Sequence, residues 1–300
     1  VMKRIIGLFI VLIFVVVPLS IMMTGCGDAE PKEDPNLSFT LNESETGYNV
    51  RGKSDVKTTV TEITIPAEYE GKPVIAISAK AFNGFTALTK ITIPDSVTSI
   101  LSSAFENCRA LTSVTIPDSV TSLGKTSFKN CTALSSVIIG SGIKTISENA
   151  FEGCKALTSV TFPAELEEIG NNAFLSCSAL PSVKFPEGLL NIGSYAFSLC
   201  SSLTEIKLPA SLTWIGDFAF GQNNGNEYPG NLMKAYFYGP MPNGINQSFG
   251  YTWDAEGFRV YVPAQYYEDY RTADAADWQR CVVAFDLLET FDPAEVPYNG

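Results

Sequence analysis

Residues 151–173 read FEGCKALTSVTFPAELEEIGNNA, and the chain keeps rewriting this stretch. Phe recurs at 82, 105, 128, 151, 174, 197 and 220, always 23 residues apart. Other columns travel with it. Cys stands at 108, 131, 154, 177 and 200, and Leu at 88, 111, 134, 157, 180 and 203. Pro stands at 94, 117, 163, 186 and 209, with Gly140 in the one gap. A small residue precedes each Phe, from Ala81 through Ser127 to Ala219. Self-similarity at a fixed period of this size is the signature of a repeat array.

Within the unit, Phe151, Cys154 and Leu157 lie three apart, as in one helical or 3₁₀ turn. Val160 and Phe162 alternate with Ser159 and Thr161, the period of a short half-buried strand that Pro163 stops. Leu166 and Ile169 then point inward, and Gly170 is expected to release the chain into the next turn. One such unit cannot bury its apolar face, whereas stacked units can, so the fold class is a mainly β repeat solenoid with short helical or 3₁₀ turns.

The pattern L-x-x-V-x-I-P-x-x-V-x-x-I-G-x-x-A-F-x-x-C resembles the BspA-like bacterial leucine-rich repeats, clearly from Val60 to Phe220 and more loosely in the flanks. The resemblance implies a cell-surface or secreted protein used in adhesion and host contact. It implies no catalytic residues.

Composition narrows the function further. The formal charge is −12, which opposes nucleic-acid binding because a phosphate backbone needs a basic surface. The chain has no His, so Ser-His and Cys-His nucleophile pairs and the commonest zinc ligand are absent. No enzyme, metal site or cofactor is expected. Acid pairs such as Glu167-Glu168, or Asp269 with Asp274, read as solvated charge rather than a catalytic dyad.

The first 25 residues read as a lipoprotein signal peptide. Lys3 and Arg4 are followed by the apolar run Ile5 to Val17, and Met23-Thr24-Gly25-Cys26 resembles a lipobox, making Cys26 the lipidation site. The acidic residues Asp28, Glu30, Glu33 and Asp34 resemble an export signal of surface-exposed lipoproteins in some Gram-negative bacteria, which implies anchoring at the outer membrane. Residues 26–36 are a polar tether with Pro31 and Pro35. Residues 37–59 are expected to form an N-terminal cap, with Phe39–Leu41 and Tyr48–Val50 as a hairpin around Thr46-Gly47. Residues 60–238 form the solenoid. Residues 239–300 form a C-terminal cap, in which Gly239 to Gly257 is loop-like, 258–263 is a strand and 264–273 a short helix.

Three groups of side chains are candidates for a role. The cysteine column would stack at about 4.8 Å, the spacing of neighbouring strands, which allows disulfides in an oxidising compartment. Yet Cys lies between inward Phe and Leu, and Phe85 occupies its place in the first unit, so buried free thiols are expected beside the ladder Phe105, Phe128, Phe151, Phe174 and Phe197. The outward strand positions form a Ser/Thr carpet in the middle of the array, and the C-terminal third differs, with Lys184, Lys207 and Lys234 beside Tyr236, a strip suited to a carboxylate-bearing or glycan ligand. Tyr236, Tyr238, Tyr251 and Trp253 offer a carbohydrate platform or simply the filling of a cap. The expected protein is a monomer that recognises an extracellular protein through its solenoid face. The alternative is a nutrient-uptake lipoprotein that captures glycan with its C-terminal aromatics.

Overall fold

The computed structural model describes residues 35–221, 231–245, 248–249, 258–272 and 281–285. The signal peptide, Cys26, most of the tether, Tyr251, Trp253 and Trp278 lie outside the described residues. The fold is a β-solenoid of about nine turns with very little helix. Each coil has three walls, and each wall has its own reason to exist.

The first wall is the alternating strand. Ser113–Ile116, Ser136–Ile139 and Ser159–Thr161 pair in parallel with like residues opposed, Val114 to Val137 to Val160. A constant 23-residue step makes this register automatic, because a slip would turn every apolar side chain outward. The wall weakens at one coil. Thr112, Ser135 and Thr158 each donate a backbone N–H to the coil before, but Pro181 occupies the next place in that column and has no N–H. Within this wall an isolated bridge, Lys184 to Lys207, joins that coil to the next.

The second wall is a ladder of two-residue strands ending in a buried aliphatic residue, including Thr145–Ile146, Glu168–Ile169, Asn191–Ile192 and Trp214–Ile215. The residue after each is where the coils come closest. A Cβ on Gly170 would lie 2.8 Å from the Ile146 oxygen and 2.9 Å from the Glu148 nitrogen. Gly170 therefore serves close packing and has no left-handed φ, contrary to the turn role expected of it.

The third wall carries the Phe and Cys columns. Its N–H groups donate along the solenoid axis to the following coil, Phe128 to Ala150 and Phe151 to Ala173 at 2.8 Å each. This direction requires left-handed residues on either side of the Ala-Phe pair. Asn149 (φ 58°) and Gly153 (φ 73°) fill those places in one coil, and Asn172 (φ 56°) and Ser176 (φ 63°) in the next. Between them Cys154 N–H reaches the Phe151 oxygen and Leu157 N–H reaches the Cys154 oxygen, the i to i−3 bonds of a 3₁₀ turn. The left-handed residues stop these turns from growing into helix.

Inside, the rings of Phe82, Phe105, Phe128, Phe151, Phe174, Phe197 and Phe220 stack nearly parallel, with centroids 4.9–5.5 Å apart. The column does not stop there. Phe249 is fully buried and stacks on Phe220 at 5.5 Å, so it is an eighth rung rather than part of a loop. The step of 29 residues matches the shift of the strand from Glu205–Leu208 to Lys234–Phe237. Parallel pairing also runs on through Arg259–Pro263 and Val282–Phe285, across the 238/239 boundary drawn from the sequence.

At the N-terminal end, β1 (Leu37–Leu41) and β2 (Tyr48–Gly52) form an antiparallel hairpin. Its loop spans Asn42 to Gly47, longer than the Thr46-Gly47 turn expected, because the Asn42 Oδ1 accepts the N–H groups of both Thr46 and Gly47. β2 then pairs in parallel with Lys72–Ile77 and so joins the second wall. At the other end a 3₁₀ turn (Ala264–Tyr266) leads into a helix (Tyr267–Thr272) that buries Tyr270 against Phe237.

Candidate functional site

Outward residues of the first wall fall into columns by register alone. Lys184 bridges Lys207, Lys207 lies opposite Tyr236, and Tyr236 lies opposite Tyr261. In the neighbouring column Glu205 lies opposite Lys234, and Lys234 opposite Arg259. The three lysines singled out in the sequence are thus brought onto one face with Tyr236. Arg259 and Tyr261 extend the strip by one strand. The sequence held a signal for both, since 258–263 reads as a strand, but the broken 23-residue step hid their columns.

The geometry within the strip is that of a partly ordered basic surface. The rings of Tyr236 and Tyr261 stack at 4.6 Å and 12°. Lys207 Nζ lies 6.0 Å from the Tyr236 ring centroid and 3.6 Å from Glu205 Oε1, so its charge is partly committed to the strip itself. Lys184, Lys234 and Arg259 are exposed. Burial, helped by Glu205 and then Tyr261, pushes the Tyr236 phenol up to about 12. The Tyr236 hydroxyl thus stays protonated. Tyr238 lies two residues further along, half-buried, with its ring edge-on to Phe285 at 6.1 Å. That contact gives it a packing role.

Just before the outward carpet of Ser113, Thr115, Ser136, Ser159 and Thr161 runs a second row of hydroxyls. Thr112 Oγ1, Ser135 Oγ and Thr158 Oγ1 donate to the carbonyls of Thr89, Thr112 and Ser135 at 3.0–3.2 Å. These hydroxyls are used along the axis.

The cysteine column is chemically quiet. Cys108, Cys131, Cys154, Cys177 and Cys200 are free and buried. Each Sγ donates to the carbonyl of a Phe one coil back, Cys154 to Phe128 at 3.3 Å. Burial pushes the thiols of Cys108, Cys154 and Cys200 up to about 12, and those of Cys131 and Cys177 well above the usual range. A thiol held protonated is neither nucleophile nor metal ligand. Among the described residues no group of three His, Cys, Asp or Glu side chains is placed to hold a metal ion.

Stacked coils with a parallel strand wall, an Ile wall and a Phe/Cys wall define a leucine-rich-repeat solenoid. The profile of the BspA type leucine-rich repeat region matches residues 56–180 and 167–228 in 6 copies, and the chain belongs to that family. It is similar to a leucine-rich repeat protein from Eubacterium ventriosum, at 32% identity over 63% of this chain and 53% of that one, with a TM-score of 0.52. The aligned part is about half the length of that protein. More distant similarities include the leucine-rich repeat protein of T. pallidum (24% identity, 80% of this chain, 94% of that one, TM-score 0.49) and one from Bacteroides ovatus (20%, 76% and 70%, 0.47). No functionally curated protein matches.

Proposed function

We propose that the protein is a non-catalytic recognition module, lipid-anchored through Cys26 at the bacterial outer surface, that binds an extracellular protein through the first wall of its C-terminal coils. BspA-type leucine-rich repeat proteins are bacterial surface proteins, and among the described residues no helix is long and apolar enough to cross a membrane. The observation that carries the reading is the strip Lys184, Lys207, Lys234 and Arg259 beside the Tyr236–Tyr261 pair, on a chain of formal charge −12. Arg and Tyr are enriched where proteins bind, because they pair large contact area with a polar end. The strip suits an acidic protein surface, and the solenoid presents it preformed, so little ordering entropy opposes binding.

Binding of the full-length chain to host cells, read by flow cytometry, tests this. The triple variant Lys184→Ala, Lys234→Ala, Arg259→Ala should lose binding, and mild protease treatment of the cells should abolish it. Binding that survives protease but is lost after glycosidase treatment would replace this reading with glycan capture by Tyr236, Tyr238 and Trp253. The anchor has its own test. Cys26→Ala should release the chain from membranes, and continued membrane partitioning would defeat lipidation.

A further inference from the structure

At the opposite end of the solenoid lies a cleft of about 520 Å³, lined by Arg51, Lys53, Lys57 and Lys80 with Asp55, Ser38 and Ser54. Three segments build it. Arg51 is on β2, Lys53 and Lys57 flank the short 3₁₀ turn Ser54–Val56, and Lys80 opens the first Phe turn. Backbone bonds fix them together: Lys53 N–H to the Asn36 oxygen at 2.8 Å, Gly52 N–H to the Ala81 oxygen at 3.1 Å, and Lys80 N–H to the Ser102 oxygen at 3.0 Å. Gly52 lies against the end of the Phe ladder, where an added Cβ would collide with the rings of Phe85 and Phe82. The floor is therefore rigid core.

The charge of the cleft is the unusual part. Four cations face one carboxylate on a chain whose formal charge is −12. Ion pairs among the described residues engage Lys125, Lys129, Lys144, Lys207 and Arg271, and none engages the four cations here. Four like charges held in one concavity repel each other, and an anion bound among them relieves that repulsion.

We infer that this cleft binds a short acidic oligosaccharide, one that carries two or more sulfate or carboxylate groups. Size argues against a bare inorganic anion, since the volume is within the range of about 300–1,000 Å³ of small-ligand sites and far above the roughly 30 Å³ of one water. The lining argues for a hydrophilic body: apart from charge it offers hydroxyls, Gly52 and Ala81, with no aromatic or branched aliphatic side chain to receive an apolar group or stack a base. The acidic remainder of the protein repels a long polyanion that would run out beyond the cleft, so the ligand is short. Lys53 and Lys57 are half-buried and form the inner contacts, while Arg51 and Lys80 are exposed at the rim. The Arg guanidinium matches a carboxylate or sulfate with two parallel donors.

Titration calorimetry of the full-length chain in detergent with a heparin-derived tetrasaccharide tests the inference. Binding should be measurable at low salt and weaken steadily as salt screens the site. The double variant Arg51→Gln, Lys80→Asn should lose affinity by about tenfold or more, the loss of one or two charge-assisted hydrogen bonds. Asn suits the left-handed backbone at position 80 (φ 57°), since Asn149 and Asn172 occupy the same column, so the variant should melt like the parent. The variant Lys184→Ala, Lys234→Ala, Arg259→Ala should bind as the parent does, which keeps this result separate from the surface at the other end. The inference is overturned by absence of binding, by equal affinity for the chemically desulfated and carboxyl-reduced tetrasaccharide, or by equal loss in the two variants. Tighter binding of an oligoglutamate of equal charge overturns it in favour of an acidic peptide.

Discussion

Replacing Phe151 by Ala should be among the most damaging single changes in the chain. The ring is fully buried and lies between Phe128 at 5.4 Å and 4° and Phe174 at 5.2 Å and 11°. Truncating a buried Phe costs about 3–5 kcal/mol through lost transfer energy and the cavity left behind. Here two stacked faces are lost at once, each worth about 0.5–1.5 kcal/mol beyond buried area, so the top of that range, about 5 kcal/mol, is expected. The neighbours cannot collapse into the space, because Phe128 N–H and Phe151 N–H hold their coils at fixed spacing. Each coil touches only its neighbours, so a hole at this rung also weakens the coupling between the halves of the array. Urea unfolding followed by far-UV circular dichroism and by Trp fluorescence separately should show a lowered midpoint and, if the halves uncouple, transitions that no longer coincide. Phe151→Leu, which keeps most of the volume, should lose only about 1–2 kcal/mol. The end rungs should be nearly as costly, because Phe82 is sealed by Phe85 at 5.4 Å and Phe249 by Phe258 at 5.8 Å. A loss below about 2 kcal/mol for Phe151→Ala, with an unchanged urea slope, would refute the ladder as the core of the fold.

Three further outcomes follow from single residues. Ser127 stands where Ala81, Ala104, Ala150, Ala173, Ala196 and Ala219 stand in the other 23-residue coils, is fully buried, and its Oγ has no hydrogen-bond partner; Ser127→Ala should raise stability by about 1 kcal/mol, and a lower melting temperature would count against it. Asn130 holds a left-handed φ of 59° and its Nδ2 lies 3.4 Å from Asn107 Oδ1, so Asn130→Ala should cost about 1–2 kcal/mol and Asn130→Gly less, with equal losses refuting the backbone argument. The buried thiols give the pH dependence. Their folded values are raised above 9.0, to about 12 for Cys108, Cys154 and Cys200, so their contribution to stability is complete below pH 9 and is lost as pH rises toward 12, because the unfolded chain ionises first. Alkylating reagent should leave all five untouched in the native protein up to about pH 9 and modify all five once denaturant is added; two thiols still protected after unfolding without reductant would reveal a disulfide.

What could be read in advance was whatever repeats. Phe, Cys, Leu and Ile columns at a constant step place their own register, since one unit's inward positions are every unit's inward positions. The reading failed where the same column has no single residue type. Left-handed backbone is required at positions filled by Lys80, Ser103, Thr126, Asn149, Tyr195 and Phe218, and this mixture carries no composition signal because the requirement is imposed by the coil above rather than by the residue. Gly170 pointed to a turn for a related reason: glycine answers both a positive φ and a close approach, and the sequence does not distinguish them.

The candidate surfaces lie where the repetition stops, and there is a physical reason. Identical coils present identical faces, and the row Thr112, Ser135 and Thr158 beside the strands spends its hydroxyls on the carbonyls of the preceding coil. A uniform face has little to offer a partner beyond area. Departures from the repeat are where unlike side chains from different segments converge. At the C-terminal end Pro181 interrupts the strand wall, a six-residue insertion shifts the register, and Lys207, Lys234, Tyr236, Arg259 and Tyr261 share one face. At the N-terminal end a hairpin replaces a coil, and its parallel docking onto Lys72–Ile77 gathers Arg51, Lys53, Lys57 and Lys80 around one cleft. Those four residues span 30 positions and fall in three different segments, so no spacing rule could have joined them before the coil geometry was known. In this fold the periodic residues build the core, and the proposed binding surfaces rest on the aperiodic ones. Substitutions in the Phe column should therefore move melting temperature without a specific effect on binding, and substitutions at the two ends should do the reverse.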